Sequence, residues 1–262
     1  YWWDLQNAKV QRYAADGIAD LNFGKNRYFR DQYTERFKVP RSSDIVIGGY
    51  DRKHDMYMLS FGPGSYTIEG EDFFLVEDTL GFDVKAGGWK SHFSWLPESM
   101  CALNSDLILF KNGALWTMFK GDYNKFFGTQ YQSHITFVVN EDPHTDKDWY
   151  CIRVQTKRQW NAPIILTTSG TEQLNGMRSK LTNANFVLKA NMWFADFLRD
   201  MDDPHAVFAA ITPNSLKEAT AALQGRHLKG EAMTIKLLTA DGSLDQALWA
   251  VQVDWSDSQV TP

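Results

Sequence analysis

Short alternations of apolar and polar residues recur along most of this chain, separated by turn residues. A two-residue period places successive side chains on opposite faces of a strand, so the pattern predicts a mainly β protein. The densest run is Phe82 to Phe119, FDVKAGGWKSHFSWLPESMCALNSDLILFKNGALWTMF. Phe82 and Val84 lead into a Gly87-Gly88 corner, Trp89 to Trp95 alternates bulky and polar residues, and Pro97 ends that run. Asp106 to Phe110 and Ala114 to Phe119 then flank Lys111-Asn112-Gly113. Asn and Gly both tolerate positive φ, which predicts a hairpin there.

The rest of the chain follows the same logic with two interruptions. Tyr1 to Leu21 reads as YWWDLQ, a turn around Asn7-Ala8-Lys9, VQRYA, and a second turn at Asp16-Gly17. Aromatic-rich strands at this spacing suit one blade of a β-propeller as well as an ordinary sheet hairpin. Phe29, Tyr33 and Phe37 recur every four residues and predict a short helix over 28–38, stopped by Pro40. From Asp44 to Val139 about seven or eight short strands are expected. Asn140 to Asp148, NEDPHTDKD, is the most polar stretch and the predicted boundary between domains 1–143 and 144–262.

Beyond it, Trp149 to Gln155 and Trp160 to Thr168 read as strands, and Thr167 to Leu181 as an exposed loop. Asn185 to Phe197 alternates again, with Phe186, Leu188, Ala190, Met192 and Phe194 expected on one side. Ser215-Leu-Lys-Glu218 has the form of a capping box and predicts a short helix near 215–224, ended by Gly225. Lys229 to Leu238 and Ala247 to Trp255 are strands joined at Asp241-Gly242-Ser243. The expected architecture is a β-propeller-like, or meandering antiparallel, first part followed by a smaller β-sandwich-like part with few short helices.

Composition narrows what such a protein does. With 262 residues, 44% hydrophobic and 14% aromatic, the chain can bury a sizeable core. No apolar run approaches the ~20 residues that a membrane-crossing helix needs, so membrane insertion by this chain is not expected. It starts at Tyr1-Trp2-Trp3-Asp4 without Met, in what reads as the middle of a strand, and is expected to be processed or cut from a longer polypeptide. Cys101 and Cys151 form neither a disulfide framework nor a metal motif, and buried, reduced thiols are expected, as suits assembly in a cytoplasm. A formal charge of −5 and a pI near 5.7 disfavour a protein built to grip nucleic-acid phosphates. An acidic channel wall, by contrast, would let DNA slide past.

No enzyme is legible in the chain, and no catalytic, cofactor-binding or metal-binding residue is predicted. Hydrolysis needs a nucleophile with its base, or a carboxylate pair across a cleft. Glu71-Asp72, Glu77-Asp78 and Asp202-Asp203 sit beside turns, where solvated surface explains them. The histidines, His54, His92, His134, His144, His205 and His227, include no i,i+4 pair. His144 with Asp142, Asp146 and Asp148 comes nearest to a metal loop but lacks the glycine and terminal glutamate of an EF-hand. The glycines, including Gly48-Gly49 and Gly62-x-Gly64, match no phosphate-binding loop and are read as turn markers. Trp89, Trp95 and Trp116 should be buried, while Trp2, Trp3 and Trp160 are candidates for an interface.

One ordered set of motifs carries a resemblance. W-x-S-x-x-S-x-x-P-E at Trp89 to Glu98 is followed by F-K-N-G-x-L-W at Phe110 to Trp116 and F-F-G-T at Phe126 to Thr129. Gly48-Gly49-Tyr50-Asp51 and Tyr57 extend it upstream, and Asn140 to Lys147 downstream. In that order they resemble the muzzle, or nozzle, tail proteins of short-tailed, crAss-like bacteriophages. The resemblance implies a virion structural protein assembled in the host cytoplasm, with no cofactor. Its expected partners are further copies of itself in a ring, six being the expected number, and neighbouring tail proteins. Genomic DNA would pass through the lumen without specific binding. The competing reading is a carbohydrate-binding or carbohydrate-cleaving β-propeller of a host-recognition appendage, using exposed aromatics beside carboxylates. A peptidoglycan-acting tail component is a third reading, disfavoured by the lack of a readable nucleophile or zinc motif.

Overall fold

Alternation becomes antiparallel pairing throughout the computed structural model of the chain. It describes residues 1–4, 7–30, 45–68, 71–75, 78–168, 176–202 and 220–258, with backbone only for 65–68 and 71–75. Two compact units emerge, Tyr1–Gly121 and Asp122–Pro262.

In the first unit, β1 (Trp2–Asp4), β2 (Lys9–Ala14) and β3 (Gly17–Asp20) form the meander that the two N-terminal turns predict. Asn22 closes it from inside. Its side-chain Oδ1 accepts from the Val10 amide and its Nδ2 donates to the Ala8 carbonyl, each at 2.8 Å. A single helical turn, α1 (Asn26–Phe29), then drops Phe29 into the core. The remainder of the predicted helix, 31–38, lies outside the described residues.

Next come β4 (Val46–Asp51), β5 (Met56–Phe61), β6 (Gly64–Ile68), β7 (Glu71–Leu75), β8 (Asp78–Asp83) and β9 (Gly88–Phe93). They form a sheet ordered β4-β5-β8-β9, with β6-β7 a separate hairpin inserted between β5 and β8. Val10, Leu21, Phe29, Leu59, Phe61, Leu80 and Phe82 share one buried cluster, which holds the N-terminal meander against that sheet. Fully burying each such side chain is worth about 1.5–3 kcal/mol. A third sheet, β10 (Ser99–Leu103), β11 (Asp106–Lys111) and β12 (Ala114–Thr117), contains the predicted hairpin, with Asn112 at φ 54° and Gly113 at φ 74°.

Gly48-Gly49 is not a turn. Both residues lie inside β4, and a Cβ on Gly49 would fall 2.7 Å from the Cβ of Met100. Bare backbone is what lets β10 approach β4 so closely.

The second unit opens with the two-residue strands β13 (Lys125–Phe126) and β14 (Thr129–Gln130), then β15 (His134–Val139). Among the described residues twelve strands therefore lie between Val46 and Val139, more than the alternation alone predicts, because several are too short to show a period. There follow β16 (Lys147–Thr156), β17 (Trp160–Thr168), β18 (Arg178–Leu181), β19 (Val187–Lys189), β20 (Met192–Asp196), β21 (Lys229–Gly230), β22 (Ala232–Thr239) and β23 (Leu248–Asp257). One sheet is ordered β15-β22-β17-β18; the other runs β19-β20-β16, with β21 and β23 also paired to β16. Ile152, Val154 and Ala195 from one sheet and Ala162, Ile165, Met233, Ile235 and Leu237 from the other form one buried cluster. Since β15 pairs with β22, the compact units meet at Gly121–Asp122, upstream of the polar stretch at Asn140 to Asp148.

Two β-bulges keep the faces correct. In β16 the pairing with β23 shifts between Trp149 and Cys151, so Lys147 and Trp149 point inward and so do Ile152 and Val154. In β17 the pairing with β18 shifts between Ala162 and Ile165 and that with β22 between Asn161 and Ile164, so both shifts span Pro163. Proline cannot donate to a ladder, and in a strand paired on both sides a bulge is where it is tolerated.

Several expectations fail for local reasons. Arg178–Leu181, expected as loop, is a strand with Ser179 and Leu181 buried; 169–175 lie outside the described residues. Asn185 to Phe197 is a hairpin rather than one strand, because Ala190 and Asn191 take φ of 47° and 62°. Leu188 pairs with Trp193 and Phe194 with Val187, so Leu188 and Phe194 face opposite sides. β22 and β23 belong to different sheets, although adjacent in sequence. The capping box at Ser215 to Glu218 lies outside the described residues, while 220–224 is helical and Gly225 ends it, its amide donating to the Ala221 carbonyl. No closed barrel is formed among the described residues.

Tyrosine packing in the first unit makes its stability pH-dependent. Tyr1 stacks on Tyr57 with ring centroids 4.4 Å apart, and burial, then Tyr1, pushes the Tyr57 phenol up to about 12. The folded state favours the neutral phenol, so this contribution is intact below the ordinary value of 10.0 and is lost as pH rises from there to about 12. Roughly 2–3 kcal/mol is at stake. Denaturant midpoints measured across that range should fall for the wild type, and the fall should be smaller for Tyr57→Phe.

Candidate functional site

The polar stretch that sequence marks out is organised by a cation. Lys147, the first residue of β16, is fully buried, and its Nζ donates to the carbonyls of Asp142 at 2.9 Å, Thr145 at 3.0 Å and Glu231 at 2.6 Å. The ammonium lies 5.2 Å from the Trp255 ring centroid and 5.9 Å from that of Trp149. A buried ammonium is tolerated only when its protons are satisfied, and here three carbonyls and two indole faces do so. The loop bends to present those carbonyls, with Asp142 and His144 at φ 53° and 77°.

This arrangement places the residues considered as a metal loop. His144, Asp142 and Asp146 are exposed, Asp142 and Asp146 engage through main-chain carbonyls, and Asp148 stands 3.3 Å from Lys229 as an ion pair. Among the described residues, no group of three or more His, Cys, Asp or Glu is placed to hold a metal ion. The paired acids do not converge either. Asp78 accepts from Tyr28 and faces His92, and Asp202 receives two bonds from Arg178 at 2.7 and 2.8 Å. The side chains of Glu71 and Asp72, and residues Glu77, Asp203 and His205, lie outside the described residues.

A second polar cluster, which sequence reasoning missed, sits on the outward face of β16. Asp254 accepts from Arg153 and, at 3.1 Å, from the Cys151 thiol. Arg153 also lies 5.5 Å from the Phe194 ring centroid, and Lys189 6.0 Å. Arg153, Phe194 and Gln252 are directly opposite one another on three strands, as are Cys151, Asp196 and Asp254. Burial first, and then the Asp254 carboxylate, push the Cys151 thiol above its ordinary value. It is a proton donor held in a surface network, the reverse of an activated nucleophile. The pairing of β16 with β23, the last strand, was the missing information, since positions 151 and 254 are unrelated in sequence.

Apolar side chains left in solvent are the remaining feature. On one face of the β10–β12 sheet lie Leu103, Ile108, Phe110 and Leu115, the last 74% exposed. Trp95 is buried and Trp89 half-buried, with its indole N–H on the Leu21 carbonyl at 2.8 Å. Trp116, expected to be buried, is 37% exposed, although it stands directly opposite buried Leu109 on the same face of the sheet. Of the interface candidates, Trp160 is buried and Trp3 packs on Phe61, which leaves Trp2 exposed. Trp249 of β23 is 63% exposed and had no marker in the sequence. The exposed indoles are thus carried by three different sheets, β1–β3, β10–β12 and that of β23.

Lys147→Met keeps the volume and removes the donors. Leaving three carbonyls unpaired should cost about 3 kcal/mol or more, read as a lower denaturant midpoint of the second unit with the slope unchanged. At Cys151, Asp254→Asn removes the neighbouring negative charge, so the alkylation rate of that thiol should rise at lower pH than in the wild type. It should still titrate above an ordinary thiol, since burial remains, and exposed Cys101 serves as the internal reference.

Comparison with known proteins falls on the second unit. Residues 121–200 match the crassvirus muzzle protein C-terminal domain. A muzzle protein of Bacteroides phage crAss001 is 30% identical over 77 residues, which is 29% of this chain and 6% of that protein. Phe126 to Thr129 and Asn140 to Lys147 lie inside the matched residues, whereas Trp89 to Glu98 and Phe110 to Trp116 lie upstream of them. The match spans β13 to β20 and thus includes Lys147, Cys151 and Arg153. Residues 121–200 are thus similar to the muzzle proteins of crAss-like bacteriophages.

Proposed function

We propose that this chain is a structural component of a bacteriophage virion, part of the tail muzzle that extends the tail tube and helps retain or channel the genome. The observation that carries the reading is the match of residues 121–200 to the crassvirus muzzle protein C-terminal domain. The chain covers a small fraction of the matched phage protein, so it would supply one portion of a larger wall. In this reading the β10–β12 face, with Leu103, Phe110 and Leu115 in solvent, is buried against neighbouring tail subunits. The small sheets of the first unit serve as propeller-like blades, and the paired sheets of the second as a sandwich. Both give stiffness without any catalytic residue, cofactor or metal. Copies join in a ring, six being the expected number, and a net charge of −5 lets DNA pass along the lumen without being held. The virion is its location, after assembly in the host cytoplasm.

Native mass spectrometry with electron microscopy of the same sample, and antibody labelling of purified virions, tests the reading. A closed ring, or label at the tip of the tail, is the expected result. A stable monomer with no label on virions would overturn it.

A further inference from the structure

The second unit ends its sheets differently on each edge. At β18 the edge is covered: the Met201 amide donates to the Arg178 carbonyl at 2.8 Å and the Ser179 hydroxyl to the Leu198 carbonyl at 2.9 Å. β19 is three residues long and closes with Lys189. β23 carries two register shifts together with Asp254 and Asp257. Shortness, bulges, charge and cover are the devices that keep an edge from recruiting another strand. Among the described residues, β15 has none of them.

β15 is HITFVV, six residues without a proline or a permanently charged side chain. Its register with β22 is unbroken from His134 to Val139, and β22 is its strand partner among the described residues. The Thr239 amide donates to the Ser133 carbonyl at 2.9 Å, which makes 133 and 239 a hydrogen-bonded pair. In an antiparallel ladder such pairs alternate, so Ser133, Ile135, Phe137 and Val139 turn their amides and carbonyls toward β22. His134, Thr136 and Val138 turn theirs away from it, and all three side chains are exposed, Val138 to 61%.

That spacing is self-complementary. We propose that β15 pairs edge to edge with the β15 of a second copy of this chain, antiparallel about a twofold axis at Thr136, joining two four-stranded sheets into one. His134 then lies opposite the partner's Val138, and Thr136 opposite the partner's Thr136. Every outward amide and carbonyl of the three residues gains a backbone partner. The register also keeps each core face on the same side, since it sets Ile135 against the partner's Phe137. Both of these side chains face the core side of the sheet, and Ile135 is 42% exposed without such a neighbour. Aromatic and β-branched residues directly opposite are favourable pairs.

Charge does not oppose the contact. Burial and the Lys236 ammonium push the His134 imidazole below its ordinary value, which leaves it neutral at pH 7 beside an apolar valine. Lys236 and the partner's Lys236 would be three strand spacings apart, about 14 Å. Between exposed groups that exceeds the screening length of ~8 Å in physiological salt. This pairing goes beyond the proposed function: members of one ring meet head to tail, so a twofold contact joins free chains or two separate rings.

Sedimentation of the full 262-residue chain over a range of concentrations reads the association, and two substitutions address the edge. Thr136→Pro removes an amide that points away from β22, and Val138→Lys places a charge on the open edge; the far-ultraviolet circular dichroism of both should match the wild type. Each should weaken the twofold association by about tenfold or more. In a Cys101→Ser background, Thr136→Cys should give a dimer linked 136 to 136 under mild oxidation. Thr234→Cys, one strand in from the edge, should not link. A wild-type chain that never pairs, a pairing unaffected by Val138→Lys, or the absence of a 136–136 link would overturn the proposal. A ring built by other surfaces would survive both edge substitutions, so failure here is separable from failure of the muzzle reading.

Discussion

One buried ammonium sets the geometry of the second unit. Lys147 belongs to one sheet, while Glu231, whose carbonyl it binds, directly precedes the first residue of β22 in the other. The same Nζ reaches back to Asp142 and Thr145 and so fixes the loop that carries the chain from β15 into β16. Side chains from both sheets meet beneath it, with the Trp149 indole donating to the Gly230 carbonyl at 3.1 Å. A hydrophobic residue of similar length would fill the space but leave the carbonyls dry. The interaction therefore favours one mutual arrangement of loop and sheets as much as it contributes energy.

Strands were legible as apolar-rich runs bounded by polar residues, as in β17, which spans Trp160 to Thr168 as expected. The Asn112-Gly113 hairpin was equally plain, because its chemistry is local. Other features depended on partners distant in sequence. At Ala190-Asn191 only the asparagine tolerates positive φ and no glycine accompanies it, so the β19–β20 hairpin read as a single strand. Gly48 and Gly49 resembled a turn until Met100 arrived across the neighbouring strand. Lys147 sat among charges in a stretch that looked solvated, and its burial follows from where Glu231 lies in space. The Cys151–Arg153–Asp254 cluster was hidden for the same reason, being split between the first and last strands of its sheet in chain order.

The family relationship and the folded unit do not have the same limits. Matched residues stop at 200, yet β15 and β17 have no pairing with each other; β22, beyond the match, lies between them. β23 likewise completes the far side of β16. Within 121–200, β19, β20 and β16 pair with one another and β17 pairs with β18, but β15 is joined to β17 only through β22.

Strand order has a kinetic meaning as well. Gln132 bonds to the Thr239 carbonyl across 107 residues, and β15 can join its sheet only after β22 has been made. A ribosome adding roughly 5–20 residues each second would leave the apolar β15 waiting several seconds for its partner. During that interval the strand has two open edges, in a cell where many copies of the same chain are being synthesised. Non-local sheets of this kind fold slowly and are exposed to mispairing while they do. The late position of β22 thus makes the yield of folded chains sensitive to how fast, and how crowded, their synthesis is.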